Sequence, residues 1–174
     1  DNGKILIVNL SKGRMGEENM SFLGLLLVQK LLAAALSREN VDERSRKDFF
    51  FYADEFQNFT TDEFASILSE ARKYKLNLTL AHQYIGQLPE NIKGAVFGNV
   101  GTLMIYRCSA EDANFLETQF DPYIKAGDMV NQGIGHCYVK LLSKGSYPAP
   151  FSLNTLYGEE FPDSGFDLSL IHIS

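Results

Sequence analysis

The stretch FFFYADEFQN, residues 49–58, constrains the fold of this chain more than any other. Its first five residues, Phe49 to Ala53, are apolar or aromatic, which is typical of a fully buried strand. The run ends in two adjacent carboxylates, Asp54 and Glu55. Open α/β sheets bind ligands at the carboxyl ends of their strands, where one carboxylate can serve a metal ion and the other a water molecule. The pattern therefore predicts a buried strand that ends in a reactive edge.

A second strand is predicted to bring an amide to the same edge. Strand-like residues 76–81, LNLTLA, follow a helical pattern, and a strand–helix–strand order with short connections favours parallel strands. The second strand is followed by Gln83. Because parallel strands end on one edge of a sheet, we expect Gln83 to lie beside Asp54 and Glu55.

The intervening helix is predicted from about residue 61 to residue 74, with Thr60 and Glu63 as its capping box. Ser109 is predicted as the N-cap of a later helix, with Asp112 at its capping-box position. Other predicted elements are a strand at Lys4–Asn9, a solvated charged connector at Ser37–Asp48, a helix at Leu88–Phe97, a buried strand at Val100–Tyr106, a helix at Ser109–Phe120, a turn-rich link at Asp121–Gly133, and an antiparallel strand pair at His136–Leu142 and Pro148–Leu156.

Composition favours one well-buried globular domain, since 45% of the 174 residues are hydrophobic. A net charge of −6 argues against a surface coated for nucleic acid, although a protein that contacts DNA through a few loops need not be basic overall. Cys108 and Cys137 lack metal-ligand spacing and are expected to be reduced thiols in the core of a cytosolic protein.

The most apolar window of the chain, residues 22–36, predicts a core helix. It is interrupted by Gln29 and Lys30 and falls short of the ~20 residues that a membrane span requires. We therefore expect Gly16 to Leu36 to be a helix buried on nearly every side, and no membrane segment in this chain.

Three segments in this order resemble the RecA-like motors of the HerA and FtsK superfamily. They are the apolar run with Asp54, Glu55, Phe56 and Phe59, then AHQYIGQLP at 81–89, and then VGTLMIYRCSAEDANFL at 100–116. The match is closest to the coupling ATPases of type IV secretion and conjugation, of the TraG and TraD kind, and covers Lys4 to Leu156. The resemblance implies an α/β fold: part of a RecA-like P-loop domain, with three α/β/α layers, a mainly parallel sheet and an antiparallel C-terminal strand pair.

The same resemblance implies ATP and Mg²⁺ as cofactors. Asp54 and Glu55 would form a Walker B pair, in which Asp54 holds Mg²⁺ through its water shell and Glu55 deprotonates the attacking water. Gln83 would sense the γ-phosphate. The structural alternatives are a carboxylate pair that only caps the following turn and a glutamine that is only solvated.

Two arginines are candidates for contact with the phosphates. Arg72 matches the arginine-finger position of related motors, and a helix from about residue 61 would place it ~17 Å down the axis, too far for its own site. We therefore expect Arg72 to act on a neighbour's nucleotide, or otherwise to favour the helix C-terminus by its charge. Arg107 leaves its strand at the reactive edge and is the alternative arginine, acting in cis or pairing with Glu111 or Asp112.

The phosphate-binding loop of the family, GxxxxGK[ST], does not occur in the sequence. We expect it upstream of Asp1, so that residues 1–157 are the C-terminal portion of the ATPase domain and 158–174 are a tail. Within the tail, 168–174 (LSLIHIS) resemble a translated sequencing adapter. The chain alone is expected to bind ATP poorly and to be poorly stable, because loss of the family's P-loop strand exposes the edges of two strands.

The first function that the resemblance implies is ATP-driven movement of DNA, or of a DNA and relaxase complex, toward secretion channel proteins. The motor would be a homo-oligomeric, hexameric ring in the cytoplasm, with the full-length protein anchored at the inner face of the cell membrane. One alternative is a HerA-like or secretion-assembly ATPase that moves protein or processes DNA ends. Another is a structural ring homologue that does not hydrolyse ATP.

Overall fold

The computed structural model of the protein describes residues 5–10 and 12–155, so the predicted tail lies outside the described residues. The helices are α1 (Lys12–Met15), α2 (Glu17–Leu36), α3 (Asp62–Glu70), α4 (Glu90–Asn99), α5 (Ala110–Phe120) and α6 (Ala126–Val130). The strands are β1 (Phe49–Ala53), β2 (Leu76–Leu80), β3 (Thr102–Ile105), β4 (His136–Leu141) and β5 (Phe151–Asn154). Short 3-10 helices occupy Ser37–Asn40, Glu43–Ser45, Phe56–Phe59, Ala71–Tyr74 and Ile85–Gln87. The predicted α/β class is confirmed.

The chain divides into two compact units. Of the described residues, the first contains those up to His82 together with Glu90–Ala95, and the second contains Gln83–Pro89 and residues 96–155. The first unit holds the parallel pair β1–β2, and the second holds the antiparallel sheet β3–β4–β5.

The predicted parallel pairing of β1 and β2 is confirmed, with Phe49 opposite Leu76 and Ala53 opposite Leu80. The prediction that β1 is fully buried is wrong. Its residues alternate between half-buried and exposed, and Phe50 and Tyr52 are 62% and 71% exposed. The alternation arises because side chains of a strand point to opposite faces, and within the described residues only one face of this pair is covered.

Helix α2 forms where predicted, but the expectation of burial on nearly every side is wrong. Its buried residues follow a single stripe: Met20, Gly24, Val28, Leu32 and Ala35. Phe22 and Leu26, on another side, are 65% and 45% exposed, because the first unit covers only that stripe. The expectation that this helix is too short to span a membrane is wrong too. By length and composition, the helical stretch Glu17–Asn40 could cross a membrane, and 28% of its most apolar 18 residues are buried.

The strand predicted at Lys4–Asn9 is also absent from the described part, residues 5–10. Ile5, Leu6 and Ile7 are exposed there. An apolar β-branched run becomes a strand only when a neighbouring strand accepts and donates its hydrogen bonds, and no described residue pairs with this one.

The charged connector between α2 and β1 is exposed along its length, as predicted, apart from two half-buried arginines that attach it to neighbouring backbone. Nη1 of Arg38 donates to the carbonyl oxygens of Lys47 and Tyr74, both at 3.0 Å. Nε of Arg46 donates to the carbonyl oxygens of Arg38 and Val41, at 3.1 and 3.0 Å. These bonds fix the segment that leads into β1.

Helix α3 begins one residue later than predicted. Its N-cap is Thr61, whose Oγ1 accepts the N–H of Phe64 at 3.2 Å, so the assignment of Thr60 as the cap is wrong. The helix then tightens into the 3-10 helix Ala71–Tyr74 before β2 begins. Phe64 and Ile67 are its buried residues, and they hold it on the first unit.

Helix α2 also packs beneath the 3-10 helix that follows the acid pair. Gly24 is buried, and a Cβ added there would lie 2.2 Å from Cδ1 and Cε1 of the Phe59 ring. No side chain fits at that distance without movement of one element. The absence of a side chain at Gly24 therefore permits this contact.

In the second unit, β3, β4 and β5 form an antiparallel sheet, which confirms the predicted pairing of the last two strands. Its core consists of Ile85, Ile105, Ala113, Leu116, Phe120, Ile124 and Met129. Helix α6 lies inside the predicted turn-rich link, where that prediction is wrong. Five residues are too few to show helical periodicity in the sequence. The start of the helix is nevertheless capped, because Oδ2 of Asp128 accepts the N–H of Lys125 at 2.9 Å.

The predicted N-cap of α5 is confirmed: Oγ of Ser109 accepts the N–H of Asp112 at 3.1 Å. The side chain of Asp112 is buried, and its Oδ1 accepts the N–H of Ile85 at 3.2 Å. Because Ile85 comes two residues after Gln83, this bond attaches the segment that carries Gln83 to the start of α5.

Both cysteines are free thiols, as predicted. Burial raises the pKa of Cys137 and also that of Cys108, where the negative charge of Asp112 adds to the effect. A raised thiol pKa reduces the reactive thiolate form, which fits a packing role.

We expect Gly24→Ala to lower the free energy of unfolding by about 1–3 kcal/mol, because the new methyl group overlaps the Phe59 ring. The matched control is Gly94→Ala in α4, where nothing lies within 4 Å of an added Cβ. That exchange should raise the free energy of unfolding by up to ~1 kcal/mol through helix propensity. Urea unfolding of the full-length protein measures both, and equal shifts of the same sign would contradict the packing.

We expect Asp112→Ala to lower the free energy of unfolding by about 1–3 kcal/mol, because the N–H of Ile85 loses its acceptor in a buried place. The control is Glu111→Ala, an exposed neighbour on α5, with an expected effect of about 0.5 kcal/mol or less. The same unfolding measurement applies. Indistinguishable effects of the two substitutions would show that the buried hydrogen bond contributes nothing.

Candidate functional site

Asp54 and Glu55 lie where the sequence predicts them, at the carboxyl end of β1 and beside the end of its parallel partner β2. Two backbone hydrogen bonds fix this junction. The N–H of Ala81 donates to the carbonyl oxygen of Ala53 at 2.9 Å, and the N–H of Phe56 donates to the carbonyl oxygen of Ala81 at 3.2 Å. The acid pair is therefore enclosed between two bonds to the same residue at the end of β2.

The backbone of Glu55 has a left-handed conformation, with φ 49° and ψ 44°. Such a conformation costs a residue with a side chain roughly 1–2 kcal/mol. Hydrogen bonds hold it: Oδ1 of Asp54 accepts the N–H of Glu55 at 3.0 Å, and the N–H and Nδ2 of Asn58 both donate to the carbonyl oxygen of Glu55, at 3.1 and 3.0 Å. Asp54 thus also caps its own turn, as the structural alternative requires. Strained residues held in this way concentrate at functional sites.

The carboxylate of Glu55 accepts a hydrogen bond from a residue that the sequence reasoning missed. Nε2 of Gln57 donates to Oε2 of Glu55 at 2.6 Å. The signal in the sequence was an amide two residues after Glu55, a spacing that would place both side chains on one face of an extended strand. In the structure the two side chains meet instead within the turn that follows β1.

Phe56 anchors the turn in the protein. It is 2% exposed, its ring stacks on Phe64 with 6.2 Å between centroids, and it meets the ring of His82 edge-on at 5.2 Å. Asp54, two residues earlier, stays exposed and Glu55 is half-buried. An apolar anchor directly after the acid pair therefore keeps the carboxylates at the surface edge of the sheet.

The donor set suits a magnesium ion that is shared with a nucleotide. Among the described residues, no group of three or more His, Cys, Asp or Glu side chains could hold a metal ion. Mg²⁺ retains several waters and is commonly bound through one or two carboxylates and the phosphates of its substrate. The exposed carboxylate of Asp54 fits that mode, whereas a metal site made only of protein ligands is absent from this part of the chain.

Gln83 follows His82 directly, is exposed, and belongs to the second unit. Its predicted position beside the acid pair stays a prediction.

Arg107 is also in the second unit, exposed and two residues after β3. It forms no ion pair with any described residue, so its predicted alternative pairing with Glu111 or Asp112 is wrong; Asp112 instead accepts the N–H of Ile85.

Arg72 is exposed in the 3-10 helix that precedes β2, at the amino end of that strand. The acid pair follows the carboxyl end of β1, and the two strands are parallel. Five residues at ~3.3 Å each separate the two ends of β2 by ~16 Å. The structure therefore places Arg72 and the acid pair at opposite ends of the sheet, and the role of Arg72 in a neighbouring site stays a prediction.

Comparison with protein-family models gives no match, and neither does comparison with curated proteins. Solved structures do match. The unbound bacterial conjugative coupling protein TrwB, lacking its N-terminal 70 residues, has a TM-score of 0.60 and 14% identity, over 80% of this chain and 39% of that chain.

Two nucleotide complexes match at similar levels. The plasmid coupling protein TrwB with the non-hydrolysable ATP analogue ADPNP has a TM-score of 0.59 and 13% identity, over 83% of this chain and 40% of that chain. TrwB with ADP and Mg²⁺ has a TM-score of 0.59 and 13% identity, over 80% and 38%. The chain thus spans about two fifths of the length of these coupling proteins. The likeness shows that this chain shares its α/β fold with part of the conjugative coupling protein TrwB.

Proposed function

We propose that this chain is the hydrolytic part of an ATP-driven motor that moves DNA, or DNA with a bound relaxase, toward the proteins of a secretion channel. The observation that carries the proposal is the acid pair at the carboxyl end of β1, in a fold shared with coupling proteins that bind an ATP analogue and ADP with Mg²⁺. Ligands of open α/β sheets bind at this edge.

Each residue of the site has a distinct task in this proposal. Asp54 holds the water shell of Mg²⁺, and the ion, when bound, neutralises charge on the phosphates. Glu55 accepts a proton from the attacking water, and its carboxylate is held by Gln57. Gln83 donates its side-chain amide to the γ-phosphate. Asp112 supports Gln83 indirectly, through the N–H of Ile85.

The position of Arg72 supports a ring with its active sites between subunits. An arginine at the amino end of β2 cannot reach a nucleotide at the carboxyl end of the same sheet. In a homo-oligomeric ring, which we propose to be hexameric, Arg72 would serve the site of the neighbouring subunit. Arg107, exposed after β3, is the alternative that would act within its own subunit. The motor would act in the cytoplasm, with the full-length protein anchored at the membrane.

We expect Glu55→Gln to lower the rate constant of ATP hydrolysis by about 10²-fold or more, because the amide cannot accept the proton of the attacking water. ATP binding should be unchanged, since the substitution keeps the size of the side chain. The measurement compares steady-state hydrolysis and ATP affinity in the full-length protein.

The matched control for that experiment is Glu90→Gln on α4, which removes only an ion pair with Lys93 from an 88% exposed side chain. It should hydrolyse ATP as the wild type does. Normal turnover in Glu55→Gln would refute the role of Glu55, and a wild-type protein without hydrolysis would favour the scaffold alternative.

We expect Arg72→Ala alone to lower hydrolysis by about 10³-fold, as loss of an inserted arginine does in other phosphoryl-transfer enzymes. Co-expression of Arg72→Ala subunits with Glu55→Gln subunits should restore activity, because an interface can then combine an intact Glu55 with an intact Arg72. In an equal random mixture about a quarter of the interfaces do so.

The control for this experiment is Lys73→Ala, the exposed neighbour whose Nζ lies over the ring of Tyr74. It should retain hydrolysis without any mixing. Mixed rings that stay as inactive as the two single variants would contradict action in trans. Loss of activity in Arg107→Ala, without recovery on mixing with Glu55→Gln, would assign the arginine to the same subunit instead.

A further inference from the structure

Gln57 lies in the 3-10 helix Phe56–Phe59, half-buried, and donates through Nε2 to Oε2 of Glu55 at 2.6 Å. We propose that Gln57 is a positioning residue, which orients the Glu55 carboxylate toward the attacking water. The inference rests on the proposed function of Glu55 as the base in ATP hydrolysis.

The turn fixes the backbone of Glu55, and the hydrogen bond from Gln57 acts on its side chain. The carbonyl oxygen accepts two hydrogen bonds from Asn58, and the N–H donates to Asp54. A glutamate side chain retains three rotatable torsions beyond this backbone, so the carboxylate could take many positions. A donor held by the same turn selects one of them, as catalysis by a positioned base requires.

The type of donor matters for the chemistry. An amide is a neutral donor, so Gln57 holds the Glu55 carboxylate by a hydrogen bond without pairing its charge. The other charged group in the turn is Asp54, whose Oδ1 already accepts the N–H of Glu55. Gln57 is therefore suited to hold a working base.

The test is single-turnover hydrolysis and ATP binding in the full-length protein. Gln57→Met has a similar shape and no donor, and we expect it to lower the hydrolysis rate constant by about tenfold or more through misplacement of the carboxylate. The affinity for ATP should be unchanged. The control is Gln119→Met, the same exchange at a half-buried glutamine on α5 of the second unit, which should leave both quantities unchanged.

Comparison of the hydrolysis rate with ATP affinity separates positioning from a general structural role. Gln57→Glu keeps the shape of the side chain but replaces the amide donor by a carboxylate, so the hydrolysis rate constant should fall while the affinity for ATP is retained. Gln119→Glu adds the same charge in the second unit and should leave both quantities unchanged. A merely structural role of Gln57 would lower stability, hydrolysis and ATP affinity together.

Wild-type hydrolysis in Gln57→Met, or faster hydrolysis, would overturn the inference; the latter would show that Gln57 withholds Glu55 from the water. The Glu55→Gln variant distinguishes failure of the Gln57 inference from failure of the proposed function. If Glu55→Gln is inactive while Gln57→Met is normal, only the role of Gln57 fails, and if Glu55→Gln is active, the proposed function fails. Should circular dichroism show Gln57→Met misfolded, the nearly isosteric Gln57→Glu, which also lacks the amide donor, decides through the same comparison of hydrolysis rate with ATP affinity.

Discussion

The two hydrogen bonds made by Ala81, one to the end of β1 and one to the turn beyond it, determine where the acid pair, and with it the proposed site, lies. They require that β1 and β2 run in parallel and in one register, because a slip of one residue would turn every side chain to the opposite face. The acid pair between these bonds is thereby fixed at the carboxyl edge of the sheet. Strand pairing, and not local sequence preference, positions Asp54 and Glu55.

The apolar residues around the acid pair pack against the core of the first unit and hold the turn in place. Phe56 is buried against Phe64 and His82, and Phe59 packs on the bare backbone of Gly24. With the turn anchored on its apolar side, the strain of a left-handed glutamate is compensated by hydrogen bonds, and the carboxylates remain accessible. Core packing in the first unit and preorganisation of the site are therefore the same set of contacts.

The sequence predicts most of what pattern and strand order determine. The limits of β1, its parallel pairing with β2 and the N-cap at Ser109 all follow from residue types at known spacings. Burial was not predictable in the same way: Phe50 and the apolar residues of α2 read as core, yet exposure depends on which neighbours cover a face. The hydrogen bond from Gln57 to Glu55 was not predicted, because it forms within a turn whose positive φ at Glu55 no composition rule assigns to a glutamate.

The most direct measurement is a structure of the full-length protein with a non-hydrolysable ATP analogue and Mg²⁺. We expect the terminal phosphate at the carboxyl edge of β1, with the metal's water shell against Asp54, the carboxylate of Glu55 directed at the attacking water, and the amide of Gln83 on the γ-phosphate. A nucleotide bound at another edge of the sheet, or a Gln83 amide directed away from the phosphate, would contradict the account.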